Sequence, residues 1–227
     1  MHVAVLLVAA GRGTRLGGAL PKQYAPIAGA TSLERAARAF LSVRRVASIC
    51  AVIHPDDVAL YAKARASIED PRLLEPALGG TSRAQSVLRG LEALAPASPD
   101  RVLIHDAARP FVTPDLIDRV IAALDECEGA FAALPVVDAL WRGADGLAQS
   151  PVSRDGLWRA QTPQGFHFSA ILAAHRAADG TAHDDVEVAR AHGLRVRMVE
   201  GAETNYKITH PADLDRARAD VARLASG

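Results

Sequence analysis

Directly after its first apolar run the chain reads Ala9-Ala10-Gly11-Arg12-Gly13-Thr14-Arg15-Leu16-Gly17, and Pro21-Lys22-Gln23 stands just beyond. Glycines let the backbone turn sharply and bring its N–H groups close to an anion. Arg15 and Lys22 add full charges that hydrogen-bond phosphate oxygens strongly. The chemistry open to this combination is the gripping of a phosphate chain. Two familiar loops do not fit. Gly11-x-Gly13-x-x-x-Gly17 is not the dinucleotide fingerprint, no helical pattern follows it directly, and Glu34 falls at a helix start instead of a strand end. No Gly-Lys-Ser/Thr closes the loop, so it is not a Walker A motif either. The bland alternative is a strand-to-loop turn with solvated arginines.

His105-Asp106-Ala107-Ala108-Arg109-Pro110 is the second group with chemical potential. An aspartate just past a buried strand can bind a nucleotide's ribose or Mg²⁺. It can equally accept backbone N–H bonds within its own loop. Arg109 reads as a site cation or as an internal ion-pair partner. His183-Asp184-Asp185 looks like part of a metal cluster, but nothing at useful spacing completes it, and helix capping suits it better. No metal site is assigned, and Asp106 is the candidate if one exists. Cys50 and Cys127 lack any CxxC or Cys/His spacing and read as buried free thiols.

These residues need a frame. Val3 to Val8 is an unbroken aliphatic run, the pattern of a strand covered on both faces in a parallel sheet. Thr31-Ser32-Leu33-Glu34 opens a helix with a capping box, and Leu33, Ala36, Ala37, Phe40 and Leu41 form its apolar face. Val46 to Ile53 reads as a strand, and a helix starts near His54-Pro55. Leu73-Leu74 is a short strand candidate. A helix over Arg83 to Leu94 follows Gly79-Gly80-Thr81-Ser82, and Arg101 to Ile104 is the next strand. Thr113 caps a helix to Leu124, and Ala130 to Val137 is a strand. Such alternation implies right-handed crossovers and a Rossmann-like, doubly wound α/β sheet that is mostly parallel. Ligands gather at the strands' C-terminal ends in sheets of this kind. The loops after Val8, before Ser82 and after Ile104 are placed to meet there.

From Val137 to Leu157 the rhythm breaks at Trp141-Arg142-Gly143-Ala144-Asp145-Gly146, a turn between two extended pieces. A projecting β-hairpin that serves as a dimer arm is expected. Helices follow around Ser169 to Ala178 and from Asp184 to His192, then a strand over Arg195 to Val199 and a closing helix after Pro211. Without repeats or linkers, residues 1–227 are expected to form one domain with an arm at about 137–157.

Composition narrows the partners. The 227 residues include 26 basic and 26 acidic side chains, a balance that argues against nucleic-acid or anionic-membrane partners. Met1 to Ala10 lacks a basic n-region, and no apolar run approaches a membrane span, so a cytoplasmic protein is expected.

In order along the chain, Ala9-Ala10-Gly11-x-Gly13-x-Arg15, Pro21-Lys22-Gln23-Tyr24, Gly79-Gly80-x-x-Arg83-x-x-Ser86-Val87, His105-Asp106-Ala107-Ala108-Arg109-Pro110, Gly156-Leu157-Trp158, Thr162-Pro163-Gln164 and Lys207-Ile208-Thr209 resemble the 2-C-methyl-D-erythritol 4-phosphate cytidylyltransferase family. The series covers essentially the whole chain. Any one of these motifs is weak, whereas the ordered set is specific.

The resemblance implies a Mg²⁺-dependent homodimer that transfers CMP from CTP to 2-C-methyl-D-erythritol 4-phosphate, a small polyol phosphate, with pyrophosphate released. Arg15 and Lys22 match the family's pair that stabilises the transition state. Ala9, Ala10, Gly11, Gly13, Gly80, Arg83 and Ser86 match the nucleotide contacts, and Asp106 and Ala107 the ribose position. Arg154 and Lys207 match the cations that orient the polyol phosphate, with Arg154 supplied by the partner subunit. Taken without the family, Arg154 is a surface arginine on a hairpin. Arg109, Ala139, Thr162 and His183 fall near the polyol pocket. Val8, Ala139 and His183 depart from the proline, threonine and threonine common in the family, and the last two of these positions lie near that pocket. Two rivals stand beside this reading. One is a ribitol 5-phosphate cytidylyltransferase, against which Ala108 argues. The other is a non-catalytic nucleotide-binding protein of the same fold.

Overall fold

In the computed structural model, which describes residues 1–12 and 20–225, Val3–Ala9 forms β1 at the middle of the sheet. Its side chains alternate between two apolar cores. Val3, Val5 and Leu7 face one, while Ala4 and Leu6 face the other, as the two-residue period of a doubly covered strand requires.

The chain continues with a short hairpin, Pro26–Ile27 (β2) and Ala30–Thr31 (β3), then helix Ser32–Leu41 (α1) and strand Val46–Ile53 (β4). Val58–Arg65 (α2), Ala77–Leu78 (β5), Arg83–Leu94 (α3), Arg101–Asp106 (β6), Pro114–Ala123 (α4) and Gly129–Pro135 (β7) follow. Leu140–Ala144 (β8) and Leu147–Val152 (β9) form a separate hairpin. Trp158–His167 (β10), Phe168–Ala177 (α5), Asp185–Ala191 (α6), Val196–Glu200 (β11) and Pro211–Ala225 (α7) complete the chain. The main sheet has the order β11-β7-β10-β6-β1-β4-β5.

Helices cover both faces. Leu33 and Phe40 of α1, Tyr61 of α2 and Leu116 and Val120 of α4 pack into one core; Val87 and Leu91 of α3, Ile171 of α5 and Val188 of α6 pack into the other. Thr31 caps α1 as expected, with Glu34 N donating to Thr31 Oγ1 at 3.2 Å and Thr31 N donating to Glu34 Oε2 at 2.7 Å. Such a reciprocal cap is worth about 1 kcal/mol and fixes where the helix begins. Gly90 lets α3 lie close on the sheet, because a Cβ there would meet Leu6 Cδ1 at 2.4 Å.

Several expectations need correction. Ten-residue β10 was not anticipated, yet it lies between β6 and β7 and runs antiparallel to both. Leu73 makes only one bridge, to Ile49, and the edge strand is β5 instead. The projecting hairpin spans 140–152, narrower than 137–157, and turns through Asp145 and Gly146 at φ 52° and 79°. Both cysteines are free, but Cys127 is only half-buried.

In-register pairing puts the functional ends level. Val8 stands opposite both Val52 of β4 and Asp106 of β6, so the loops leaving β1, β4 and β6 emerge side by side.

Candidate active site

Those loops enclose a cleft of about 350 Å³. Val8, Ala10, Gly11 and Arg12 line it from the exit of β1, and Lys22 and Gln23 from the turn that follows the undescribed residues. His54 contributes after β4, and Gly80 to Arg83 with Ser86 form another wall. Asp106, the last residue of β6, Ala108 just beyond it, and Lys207 close it. Three loops far apart in sequence thus meet where the alternating pattern placed them.

The first loop is held by a residue that sequence reasoning left without a role. Gln23 is 2% exposed, and its Nε2 donates to the carbonyls of Ala9 at 2.6 Å and Gly11 at 3.1 Å. An amide with two donors can tie both carbonyls at once. Arg12 anchors the same loop to the turn after β4. Its guanidinium bonds Asp57 Oδ1 at 2.9 Å and also Asp56. Asp57 is almost fully buried, so this pair is more than a surface contact. Gly13, Arg15 and Gly17 lie outside the described residues.

The second wall is equally fixed. Ser86 Oγ donates to the carbonyl of Ser82 at 2.8 Å and accepts from Gly80 N at 3.0 Å. Ser82 caps α3, taking the N–H of Gln85. At Gly79 a Cβ would sit 2.5 Å from Ala10 Cβ and 2.9 Å from Ser86 Oγ. Only glycine therefore lets this wall approach the β1 loop.

Asp106 sits at the floor, 8% exposed, with Lys207 Nζ 2.7 Å from Oδ2 and Arg109 Nε at 4.0 Å. Burial alone would raise its pKa, but Lys207, Arg83 and Arg109 hold the carboxyl well below the usual carboxylate range. Its N–H donates to Thr162 Oγ1 at 3.1 Å, and Thr162 Oγ1 lies 3.0 Å from His105 Nδ1. His105 Nε2 faces the carbonyl of Arg109 at 3.1 Å. A carbonyl can only accept, so Nε2 carries the proton and Nδ1 takes the hydroxyl hydrogen of Thr162. Burial pushes the His105 pKa down to about 4, which keeps the ring neutral and the relay intact.

Some expected site residues are placed differently. Thr162 lies beneath the cleft, 4% exposed, and positions Asp106 rather than facing a ligand. Arg109 is an internal tie, its Nη1 donating to the carbonyl of Asn205 at 2.7 Å. The side chain of His183 is 92% exposed, and the cap of α6 is Asp184. Ala139 is exposed at the foot of the hairpin. Arg154 is exposed beside it, with its Nη1 donating to the carbonyl of Val137. Within one chain neither of the last two lines the cleft. Ala9 and Ala107 are buried and do not line the cleft; the Ala107 N–H donates to the carbonyl of Val8, and its carbonyl accepts from Ser32 Oγ. Ala10, Gly11, Lys22, Gly80, Arg83, Ser86, Asp106 and Lys207 do come together as expected.

The described lining carries Arg12, Lys22, Arg83 and Lys207 against a single carboxylate, Asp106. No group of three His, Cys, Asp or Glu side chains among the described residues could hold a metal. Such a cleft suits a polyanion, and a metal that arrives on phosphate oxygens more than one caged by protein.

Comparison with known proteins agrees with this chemistry. The family model for 2-C-methyl-D-erythritol 4-phosphate cytidylyltransferase matches residues 3–223. A curated protein of that name from Cereibacter sphaeroides is 53% identical over 227 residues, covering 100% of both chains. The bifunctional enzyme IspD/IspF of Paramagnetospirillum magneticum is 51% identical over 215 residues, 94% of this chain and 55% of that protein. Among solved structures, 2-C-methyl-D-erythritol 4-phosphate cytidylyltransferase from Thermus thermophilus is 36% identical with a TM-score of 0.79, covering 98% of this chain and 100% of that one. A 4-diphosphocytidyl-2C-methyl-D-erythritol synthase is 30% identical with a TM-score of 0.84, covering 97% and 98%. With its cation-lined cleft at the ends of β1 and β6, the chain belongs to the 2-C-methyl-D-erythritol 4-phosphate cytidylyltransferase family.

Proposed function

We propose that this chain transfers CMP from CTP to 2-C-methyl-D-erythritol 4-phosphate, working as a cytoplasmic homodimer with Mg²⁺. An oxygen of the polyol's phosphate attacks the α-phosphorus, the bond from that phosphorus to the bridging oxygen breaks, and pyrophosphate leaves with the electron pair. A phosphate monoester is already a competent nucleophile, so no general base is required. Catalysis reduces to aligning two anions that repel one another and neutralising charge as phosphorus becomes five-coordinate.

One observation carries the reading: Lys22, Arg83 and Lys207 line one cleft with Asp106 at the strand ends. Arg15 and Lys22 stabilise the charge that builds on the triphosphate. The backbone of Ala9 to Gly13 and of Gly80, with Ser86 and Arg83, holds the nucleotide, and Asp106 and Ala107 take the ribose. Asp106 is the side chain that would serve Mg²⁺, which when bound would supply further neutralisation of the triphosphate charge. Lys207 and the partner subunit's copy of Arg154 orient the polyol phosphate, the latter standing just past the β8–β9 hairpin. Exposed Trp141 and Leu147 on that hairpin, 59% and 72% accessible, support an arm that docks on a second copy. No helix among the described residues is long and apolar enough to cross a membrane.

Pyrophosphate release with CTP, Mg²⁺ and 2-C-methyl-D-erythritol 4-phosphate tests the activity. Turnover with this polyol phosphate and not with ribitol 5-phosphate is expected; the reverse preference would overturn the assignment. CTP binding without turnover on either would instead favour the non-catalytic reading.

A further inference from the structure

Arg83 reaches the cleft from the first turn of α3, and its guanidinium is not left to find its own position. Nη1 bonds Asp185 Oδ1 at 3.1 Å and Nη2 bonds Oδ2 at 2.6 Å, a fork-to-fork pair. Asp185 is 0% exposed. A carboxylate is kept at such depth only where partners compensate its desolvation.

Arg83 is the hydrogen-bonded partner of this carboxylate, and two further elements pack against Asp185. Besides Arg83, His175 Nε2 of α5 lies 3.2 Å from Asp185 Oδ1. Gln164 of β10 accepts the Asp185 N–H through Oε1 at 3.1 Å and donates from Nε2 to Asp184 Oδ2 at 3.2 Å. Helix formation does not need the acid at 185, since Asp184 is the residue that caps α6 by accepting from Glu187 N. The charge at 185 therefore serves Arg83. The Arg83 side chain is 29% exposed and forms part of the cleft wall.

We propose that Asp185 is a positioning residue for nucleotide binding, fixing the Arg83 guanidinium in the cleft wall so that it meets CTP already oriented. This rests on the cleft being the CTP site. A guanidinium immobilised in advance loses little rotamer freedom when ligand arrives, so more of its interaction appears as affinity. Gln164, by accepting the Asp185 N–H, fixes the backbone from which the carboxylate reaches Arg83.

Calorimetric titration of CTP with Mg²⁺ into the wild-type chain, Asp185→Asn, Arg83→Lys and the double variant Arg83→Met/Asp185→Asn tests this, with initial rates measured alongside. Asp185→Asn and Arg83→Lys should each weaken CTP binding about tenfold to a hundredfold, the scale of one charge-assisted contact. The KM for the polyol phosphate should stay near its wild-type value. The double variant should bind CTP no more weakly than Asp185→Asn, because Arg83 contributes only while Asp185 holds it. Wild-type affinity in Asp185→Asn, or a further large loss in the double variant, overturns the proposal. Should Asp185→Asn fail to fold, Arg83→Lys decides, and wild-type CTP affinity there also overturns it. A wild-type chain that does not bind CTP would instead defeat the functional assignment on which the proposal rests.

Discussion

Lys207 Nζ stands 2.7 Å from Asp106 Oδ2, joining the end of β6 to a segment just before α7. The backbone repeats the link, as Ile208 N donates to the carbonyl of Ala108 at 2.8 Å. The cation assigned to the polyol phosphate is thus paired with the carboxylate assigned to the ribose. On the proposed assignments both substrates meet this pair, which makes it the boundary between their subsites.

Replacing Lys207 with Met keeps the alkyl stem and removes the charge. The KM for the polyol phosphate should rise by about tenfold or more, the scale of one ionic hydrogen bond, while the KM for CTP moves little. Initial rates with each substrate varied in turn would show it. Equal rises in both values would place Lys207 on the nucleotide instead.

Lys22→Ala should lower kcat by about 10²–10³, the usual loss when one charged donor to a developing anion is removed. Arg15→Ala, outside the described residues, should do the same. Thermal melting should show both variants folded as well as the wild type. Full turnover in either would remove that residue from the chemistry.

Stability should carry an acid limb from His105. Burial pushes its pKa from 6.5 down to about 4, so between these values the unfolded chain binds a proton that the folded chain refuses. The contribution is complete above about pH 6.5, shrinks as pH falls toward 4 and is gone below. At roughly 1.4 kcal/mol per unit it totals on the order of 3 kcal/mol. Urea unfolding of the wild type should weaken across that window. His105→Gln, less stable at pH 7, should show a shallower decline; the same slope in both would assign the limb to other groups.

The arm can be tested by mixing defects. A dimer of one Arg154→Ala chain and one Lys22→Ala chain retains one intact site only if each site draws Arg154 from the other subunit. Differently tagged chains, co-expressed and purified through both tags, should recover activity that neither homodimer has. No recovery would place Arg154 in its own subunit's site, and an active Arg154→Ala homodimer would place it outside the site.

The positions of α1, β4 and α3 were legible because local physics decides them. Thr31 and Glu34 complete a capping box whatever surrounds them, and Ser82 caps α3 from within its own turn. The aliphatic run of β1 likewise has no stable home but a covered sheet. Strand β10 was not legible. Trp158 to Gly165 includes a proline and two glutamines and lacks the aliphatic run of a buried strand, and it is a strand because β6 and β7 flank it on both sides. With it went the roles of Thr162 and Gln164, both buried on that strand.

What the sequence determined by itself was the set of phosphate-gripping residue types, their order, and the alternation that sends them to one end of a sheet. Tertiary structure alone decided which partners hold them: Gln23 across the β1 loop, Thr162 under Asp106, and Asp185 behind Arg83. Spacing and capping act over a few residues and can be read from neighbours in the chain. The pairing of buried charges depends on which side chains the packed sheet brings within about 3 Å of one another, and nothing local records that distance.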